Sequence, residues 1–102
     1  MRTVALGQAA EIPLGEGRAY AVEGEQIVVF RLRGSGELRA MQALCPHRGG
    51  PLADGQIDQD LVVCPLHANM FSLTDGSCVT ADYHVEVYPA WEHDGQVMIS
   101  LA

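Results

Sequence analysis

Two short stretches that combine cysteine, histidine and proline constrain the fold of this chain more than any other feature. The first is "CPHRGGPLADG" at 45–55, and the second is "CPLHANMF" at 64–71. Each offers one thiolate and one imidazole from a turn-rich segment, so together they supply four metal ligands. Both segments bind one site only if the fold brings them together. The candidate ligands are Cys45, His47, Cys64 and His67.

The spacing of these ligands favours an iron-sulfur cluster over zinc. Tetrahedral zinc sites usually take close pairs of like ligands, written C-x₂₋₄-C and H-x₃₋₅-H. Here each close pair mixes the two residue types, as Cys45-x-His47 and Cys64-x-x-His67. Mixed pairs are natural where the cysteines hold one iron of a [2Fe-2S] cluster and the histidines hold the other. A zinc-binding interaction module remains the alternative of another class.

The remainder of the chain is predicted to be all-β. Short apolar clusters alternate with turn signals, and no segment keeps a 3.6-residue period for more than a few residues. The loop 34–36 and the Asp-Gly pairs at 54–55, 75–76 and 94–95 predict turns. We therefore expect a small β-barrel or sandwich. The predicted strands span 19–24, 26–33, 37–44, 59–64, 70–76, 84–90 and 95–102.

The length of 102 residues is enough for one hydrophobic core, so we predict a single domain over 1–102. Within it, the segment from about 44 to 73 holds both cysteine-histidine stretches and three of the five prolines. We interpret this segment as a cluster-binding subdomain inserted into the β scaffold.

Charge and hydropathy exclude several classes of function. The formal net charge is −7, and all six basic residues are arginines, which argues against nucleic acid as a partner. There is no apolar run of about 18 residues and no signal-peptide pattern at the start, so we expect a cytoplasmic protein that does not enter a membrane.

Several cysteine, histidine and aromatic residues are predicted to lie outside the metal site. The third cysteine, Cys78, has no matching partner and is expected to be a small buried apolar residue. His84 and His93 lack ligand-type neighbours at suitable spacing. Tyr88 and Trp91 are expected to pack in the core near the last strand.

At these residues the chain resembles a known family. "CPHRGGPLADGQ" and "CPLHANMFSLTDG" resemble the two cluster-binding loops of Rieske-type ferredoxins, and the strand pattern that ends in "VYPAWEHDGQVMIS" is similar over nearly the whole chain. "CPHRGGPL", "CPLH", "DGSC" and "VYPA" further resemble the small subunit of assimilatory NAD(P)H-dependent nitrite reductase. Stand-alone ferredoxins of ring-hydroxylating dioxygenases share much of this pattern.

The resemblance implies one Rieske-type [2Fe-2S] cluster, one-electron transfer, and no substrate-transforming site on this chain. The implied partner is a nitrite reductase large subunit or, alternatively, a flavoprotein reductase together with an oxygenase. Gly50 and Leu66 stand where high-potential members carry a disulfide, and Asn69 and Phe71 stand where those members carry hydroxyl donors to the cluster. The expected potential is therefore at the low end of roughly −150 to +300 mV.

Overall fold

The structure is a computed structural model that describes residues 2–44, 52–58, 60–65, 69–80 and 82–101. These ranges contain two three-residue 3₁₀ helices, Ala9–Glu11 and Leu52–Asp54, and no helix in them is long and apolar enough to cross a membrane. The all-β prediction is confirmed. The strands are β1 Arg2–Gln8, β2 Gly17–Val22, β3 Glu25–Arg31, β4 Leu38–Gln42, β5 Gln56–Asp58, β6 Leu61–Val63, β7 Met70–Ser72, β8 Val87–Tyr88, β9 Ala90–His93 and β10 Gln96–Leu101.

The described strands form three antiparallel sheets. The first joins the two ends of the chain in the order β1-β10-β9, and the second has the order β2-β3-β4-β8. The third, β5-β6-β7, is the smallest and lies wholly within the segment 44–73. The division of the chain into a scaffold and an inserted subdomain stays a prediction.

Strand β3 is the centre of the molecule because both of its faces are covered. Its residues 27–30 have no exposed surface. Alternate side chains of a strand point to opposite faces. Val28 and Phe30 therefore pack in one hydrophobic cluster, while Ile27 and Val29 pack in another. A continuous apolar run is typical of a strand that is buried on both faces.

The two clusters connect the three sheets. The first cluster joins β3 and β4 to the small sheet, and the second joins them to the sheet of the chain ends. The first cluster contains Val28, Phe30, Leu32, Met41, Ala43, Leu52, Val62, Cys64, Phe71, Leu73 and Val85. The second cluster contains Ala9, Ile12, Val22, Ile27, Val29, Leu38, Ala40, Val97 and Ile99.

Three hairpin turns explain how the larger sheets are connected. Asp94 and Gly95 both have positive φ, 51° and 78°, as a two-residue hairpin between β9 and β10 requires. Glu23 and Gly24 make the same turn between β2 and β3, with φ of 52° and 85°. The predicted loop at 34–36 joins β3 to β4. The turn at Glu23 was not predicted, because glutamate rarely adopts positive φ.

The sequence missed three strands, β1, β5 and β9. β1 pairs along its length with β10, so its partner lies at the opposite end of the chain. β5 has only three residues, too few for a recognisable alternation. The strand predicted at 84–90 ends before Pro89, which lacks the N–H that a strand interior needs. Its observed part, β8, pairs with β4, whereas β9 begins at Ala90, pairs with β10 and belongs to a different sheet.

Gly76 and Gly24 are a matched pair that tests how closely the segment after β7 is packed. Both have positive φ, +82° and +85°. A β-carbon at Gly24 would meet nothing within 4 Å, whereas one at Gly76 would lie 2.0 Å from the Val85 carbonyl oxygen. Gly24→Ala should cost only the backbone strain, about 1 kcal/mol of unfolding free energy. Gly76→Ala should cost about 3 kcal/mol or more, because the backbone at Val85 must move.

Urea unfolding of the two cluster-loaded variants checks this prediction by comparing their midpoints with that of the unchanged protein. Equal midpoints for the two variants would contradict the close approach of residues 76 and 85.

Candidate metal centre

Two loops that carry the cysteine-histidine stretches are closed at their bases by backbone hydrogen bonds. At the first base, the Leu52 N–H donates to the Ala43 carbonyl oxygen at 2.9 Å. At the second base, the Cys64 N–H donates to the Asn69 carbonyl oxygen at 2.7 Å. The loop residues 45–51 and 66–68 lie outside the described residues. Each loop thus leaves and re-enters the fold at adjacent, fixed points.

The bases of both loops lie in the first hydrophobic cluster. Ala43 and Leu52 contribute to it from the first loop, and Cys64 contributes from the second. All three are at most 4% exposed. Packing in one cluster holds the two bases on the same side of the molecule. The described ends of the two loops therefore lie in one part of the molecule, as a shared metal site requires.

Of the four predicted ligands, Cys64 is the one that the structure describes. It follows β6 directly, is 1% exposed, and is a free thiol. Cys45, His47 and His67 lie outside the described residues, and the remaining described part of the chain contains no group of three or more possible metal-ligating side chains. A free, buried thiol at the base of a closed loop fits a cluster held between the two loops.

The hydrogen bonds of the Thr80 hydroxyl, beside the second loop, were not predicted from the sequence. The Thr80 hydroxyl oxygen accepts the Met70 N–H at 3.1 Å, and the same hydroxyl donates to Asn69 Oδ1 at 3.1 Å. Cys78 Sγ lies 3.4 Å from that oxygen. Cys78 is half-buried and packs against the first cluster, so it is less enclosed than predicted. No spacing rule identifies Thr80, because its contacts depend on how β7 pairs with the segment after it.

The turn that follows β7 is held by Asp75. Ser77 donates its backbone N–H and its hydroxyl to Asp75 Oδ1 at 2.9 and 2.8 Å, and these bonds, the backbone one first, lower the pKa of that carboxyl. His84 Nε2 lies 2.9 Å from the Asp75 carbonyl oxygen. His84 therefore has a structural role at this turn, as expected for a histidine outside the metal site.

Tyr88 and Trp91 were both predicted to pack in the core, and the structure places them differently. Tyr88 is half-buried and packs against the second cluster, and its hydroxyl lies 3.2 Å from Glu25 Oε2. Burial, and then the Glu25 charge, raise the pKa of Tyr88. Trp91 is 39% exposed on β9, so the prediction of core packing is wrong for this residue. β9 lies at the edge of its sheet, and its residues 91–93 are all exposed.

These features define the class of protein: a small all-β protein with two cysteine-histidine loops whose bases lie in one hydrophobic cluster. The sequence matches the family model of the Rieske [2Fe-2S] domain over residues 2–91. The chain therefore belongs to the Rieske [2Fe-2S] domain family. It is an electron-transfer protein of the ferredoxin type, and its cofactor is a [2Fe-2S] cluster, as the ligand spacing predicted.

Similar proteins are found among both kinds of system that the sequence suggested. The ferredoxin subunit of anthranilate 1,2-dioxygenase from Burkholderia cepacia is 34% identical over 98 residues, which is 94% of this chain and 89% of that protein. The Sphingomonas yanoikuyae B1 ferredoxin superposes with a TM-score of 0.86 at 27% identity, covering 99% of this chain and all of the other. A protein assigned as the NADH-dependent nitrite reductase small subunit of Mycobacterium tuberculosis has a TM-score of 0.89 at 24% identity, covering 99% and 96%, and shares the fold.

Cys64 and Cys78 provide a matched test of the ligand assignment. Cys64→Ser should lower the iron and sulfide content to below about a tenth of the normal value, because a thiolate ligand is lost. Cys78→Ser should keep the full content, since its sulfur contacts Thr80 and a serine hydroxyl replaces that contact. Iron and acid-labile sulfide analysis of both purified variants is the measurement. A full cluster in Cys64→Ser would show that the assignment is wrong.

Proposed function

We propose that this chain carries single electrons from a flavoprotein reductase to an oxygenase, and that Cys45, His47, Cys64 and His67 hold its cluster. The observation that carries the ligand assignment is the closed base of each loop in one hydrophobic cluster, with the Cys64 thiol buried there. Cys45, His47 and His67 lie outside the described residues, so their part is supported by sequence spacing. A cytoplasmic location likewise stays a prediction.

The chain's own residues supply insulation around the site. The bound [2Fe-2S] cluster supplies the one-electron redox chemistry. Cys64 shares the first hydrophobic cluster with Val62 and Phe71, both without exposed surface, so water is excluded from one side of its sulfur. A dry environment strengthens the electrostatic interactions of the site and protects it from hydrolysis.

Exposed apolar side chains flank both loops and would suit a transient partner. Leu44 directly precedes the first loop and is 43% exposed. Val79 is 55% exposed, and its N–H donates to the carbonyl oxygen of Met70, just beyond the second loop. Such residues beside a redox centre favour a small docking interface. From the sequence we expect the same surface to include His47, Arg48, Leu66 and His67, all of which lie outside the described residues.

Charge supports a partner with a basic docking surface. The net charge of the chain is −7, and Glu25 and Glu86 lie with Leu44 around one surface groove. Acidic side chains beside an apolar contact steer a basic partner toward it, and this steering weakens as ionic strength rises.

Oxygenase systems are favoured as the destination of the electron by sequence similarity. The anthranilate 1,2-dioxygenase ferredoxin subunit is 34% identical, and this chain spans 89% of its length. The similarity thus extends over most of a protein that is itself named as the ferredoxin subunit of an oxygenase system.

A second candidate is the small subunit of an NAD(P)H-dependent nitrite reductase. It is favoured by the stretches "CPHRGGPL", "CPLH", "DGSC" and "VYPA". The two candidates differ physically, because a reductase subunit stays docked on a siroheme-containing large subunit, whereas a carrier must dissociate after each electron.

Gel filtration of the cluster-loaded chain from its native source, at low and at moderate salt, separates the two functions. A carrier should elute free of siroheme-containing protein, and it should be reduced by NADH only when a flavoprotein reductase is added. Stoichiometric elution with a siroheme protein at both salt concentrations would contradict the carrier and establish the second candidate.

Leu44→Gln and Leu14→Gln are matched variants that test the docking surface. Both leucines are exposed, at 43% and 54%, but only Leu44 is next to a cysteine-histidine loop. Leu44→Gln should lower the second-order rate constant for reduction of this chain by the flavoprotein reductase by about threefold to tenfold, while Leu14→Gln should leave that rate constant unchanged. Equal effects of the two substitutions would show that the docking surface lies elsewhere.

A further inference from the structure

Thr80 lies outside both cysteine-histidine stretches, yet its side chain contacts the end of the second loop. Its hydroxyl is within hydrogen-bonding distance of three groups, the Met70 N–H, Asn69 Oδ1 and Cys78 Sγ. The neighbouring backbone is tied to the same place, because the Val79 N–H donates to the Met70 carbonyl oxygen at 2.8 Å. The segment after β7 therefore holds the loop at its exit.

A single placement of the hydrogen atoms accounts for all three contacts of the Thr80 hydroxyl. A threonine hydroxyl has one hydrogen to donate and two lone pairs to accept. The Met70 N–H can only donate, and Asn69 Oδ1 can only accept, so the hydroxyl hydrogen is directed to Asn69. The second lone pair is then available to the Cys78 thiol. The Thr80 hydroxyl, the Met70 N–H and Asn69 Oδ1 all have a hydrogen-bond partner in this arrangement.

The position of Asn69 makes this arrangement relevant to the metal site. Its carbonyl oxygen accepts the N–H of Cys64, so it closes the loop that carries Cys64 and His67. Its side-chain oxygen is bonded to Thr80. The side-chain NH₂ group then has two hydrogens to donate, and in the described part of the chain it has no acceptor. An amide fixed at one end in this way keeps its donors in one orientation.

We propose that Thr80 is a positioning residue for the [2Fe-2S] centre, which orients the Asn69 amide so that its N–H groups are donors to the sulfur side of the cluster. The proposal rests on the proposed ligands Cys64 and His67. It assigns to Thr80 control of the reduction potential, although Thr80 touches no predicted ligand. It also replaces the expectation from the sequence that residue 69 provides no donor to the bound cofactor.

The physical effect follows from the charge of the reduced centre. Each added electron makes the centre more negative, and a hydrogen-bond donor at sulfur offsets part of that charge and raises the potential. Without the Thr80 hydroxyl, the Asn69 amide is free to turn toward water and the donor is lost. Thr80 is exposed and belongs to neither hydrophobic cluster, so its replacement creates no cavity in the core.

Three threonine substitutions test the proposal by redox titration of the purified, cluster-loaded proteins. Thr80→Val keeps the shape and removes the hydroxyl, Thr80→Ser keeps the hydroxyl, and Thr74→Val removes a hydroxyl that bonds Asp60 instead of the loop. Thr80→Val should have a lower midpoint potential than the unchanged protein. At the midpoint potential of the unchanged protein, the ratio of oxidised to reduced Thr80→Val should therefore be threefold to tenfold higher, and a tenfold change corresponds to about 59 mV. Thr80→Ser and Thr74→Val should titrate as the unchanged protein does.

A double-mutant cycle shows whether Thr80 acts through Asn69. Asn69→Leu should lower the potential by itself, and adding Thr80→Val to it should lower the potential no further. Additive shifts would overturn the proposal, because they would mean that Thr80 acts by another route. If Thr80→Val does not retain its iron, the midpoint potential of Asn69→Leu is the deciding measurement. Asn69→Leu leaves the hydrogen bond from the Met70 N–H to the Thr80 hydroxyl in place.

An unchanged potential in Thr80→Val with full iron, or in Asn69→Leu with full iron, would also overturn the proposal. These outcomes are distinct from a failure of the ligand assignment, which is measured by the iron content of Cys64→Ser. They are equally distinct from a failure of the proposed partner, because no partner protein is present in the titration.

Discussion

The first hydrophobic cluster is the constraint on which the rest of this structure depends. It packs β3 and β4 against the small sheet, and it includes the bases of both loops through Ala43, Leu52 and Cys64. Two loops separated in sequence supply ligands to one centre only if their bases are held side by side. Ala43 and Leu52, which are not among the proposed ligands, therefore help to determine whether the four proposed ligands converge. Binding of the [2Fe-2S] cofactor in turn stabilises the folded conformation of the two loops.

Three groups of residues around the first hydrophobic cluster have different roles. Burial of the Cys64 thiol isolates one side of the centre from water. The exposed side chains of Leu44 and Val79, next to the two loops, form the proposed contact surface for a partner. The hydroxyl of Thr80 holds the second loop from outside, where a change alters hydrogen bonding without disturbing the core. In the function that we propose, stability, docking and redox tuning thus depend on different residues.

The sequence predicted what local patterns encode. The ligand spacing, the all-β class and the turn at 94–95 all depend on residues close together in the chain, and the fold, the family and the cofactor agree with them. β1 was missed because its partner is β10, at the far end of the chain. The contact of Thr80 with Asn69 was missed for the same reason, since it exists only once the segment after β7 folds back. Pairing between distant segments is decided by tertiary packing, which a single sequence does not display.

The central claim is that His47 and His67 bind iron, whereas His84 and His93 do not. Pulsed EPR of the reduced protein, labelled with ¹⁵N in its histidines, tests this most directly. The account predicts couplings from two imidazole nitrogens bound to iron, unchanged when His84 and His93 are both replaced by alanine. The absence of such couplings, or their loss in that double variant, would contradict the assignment.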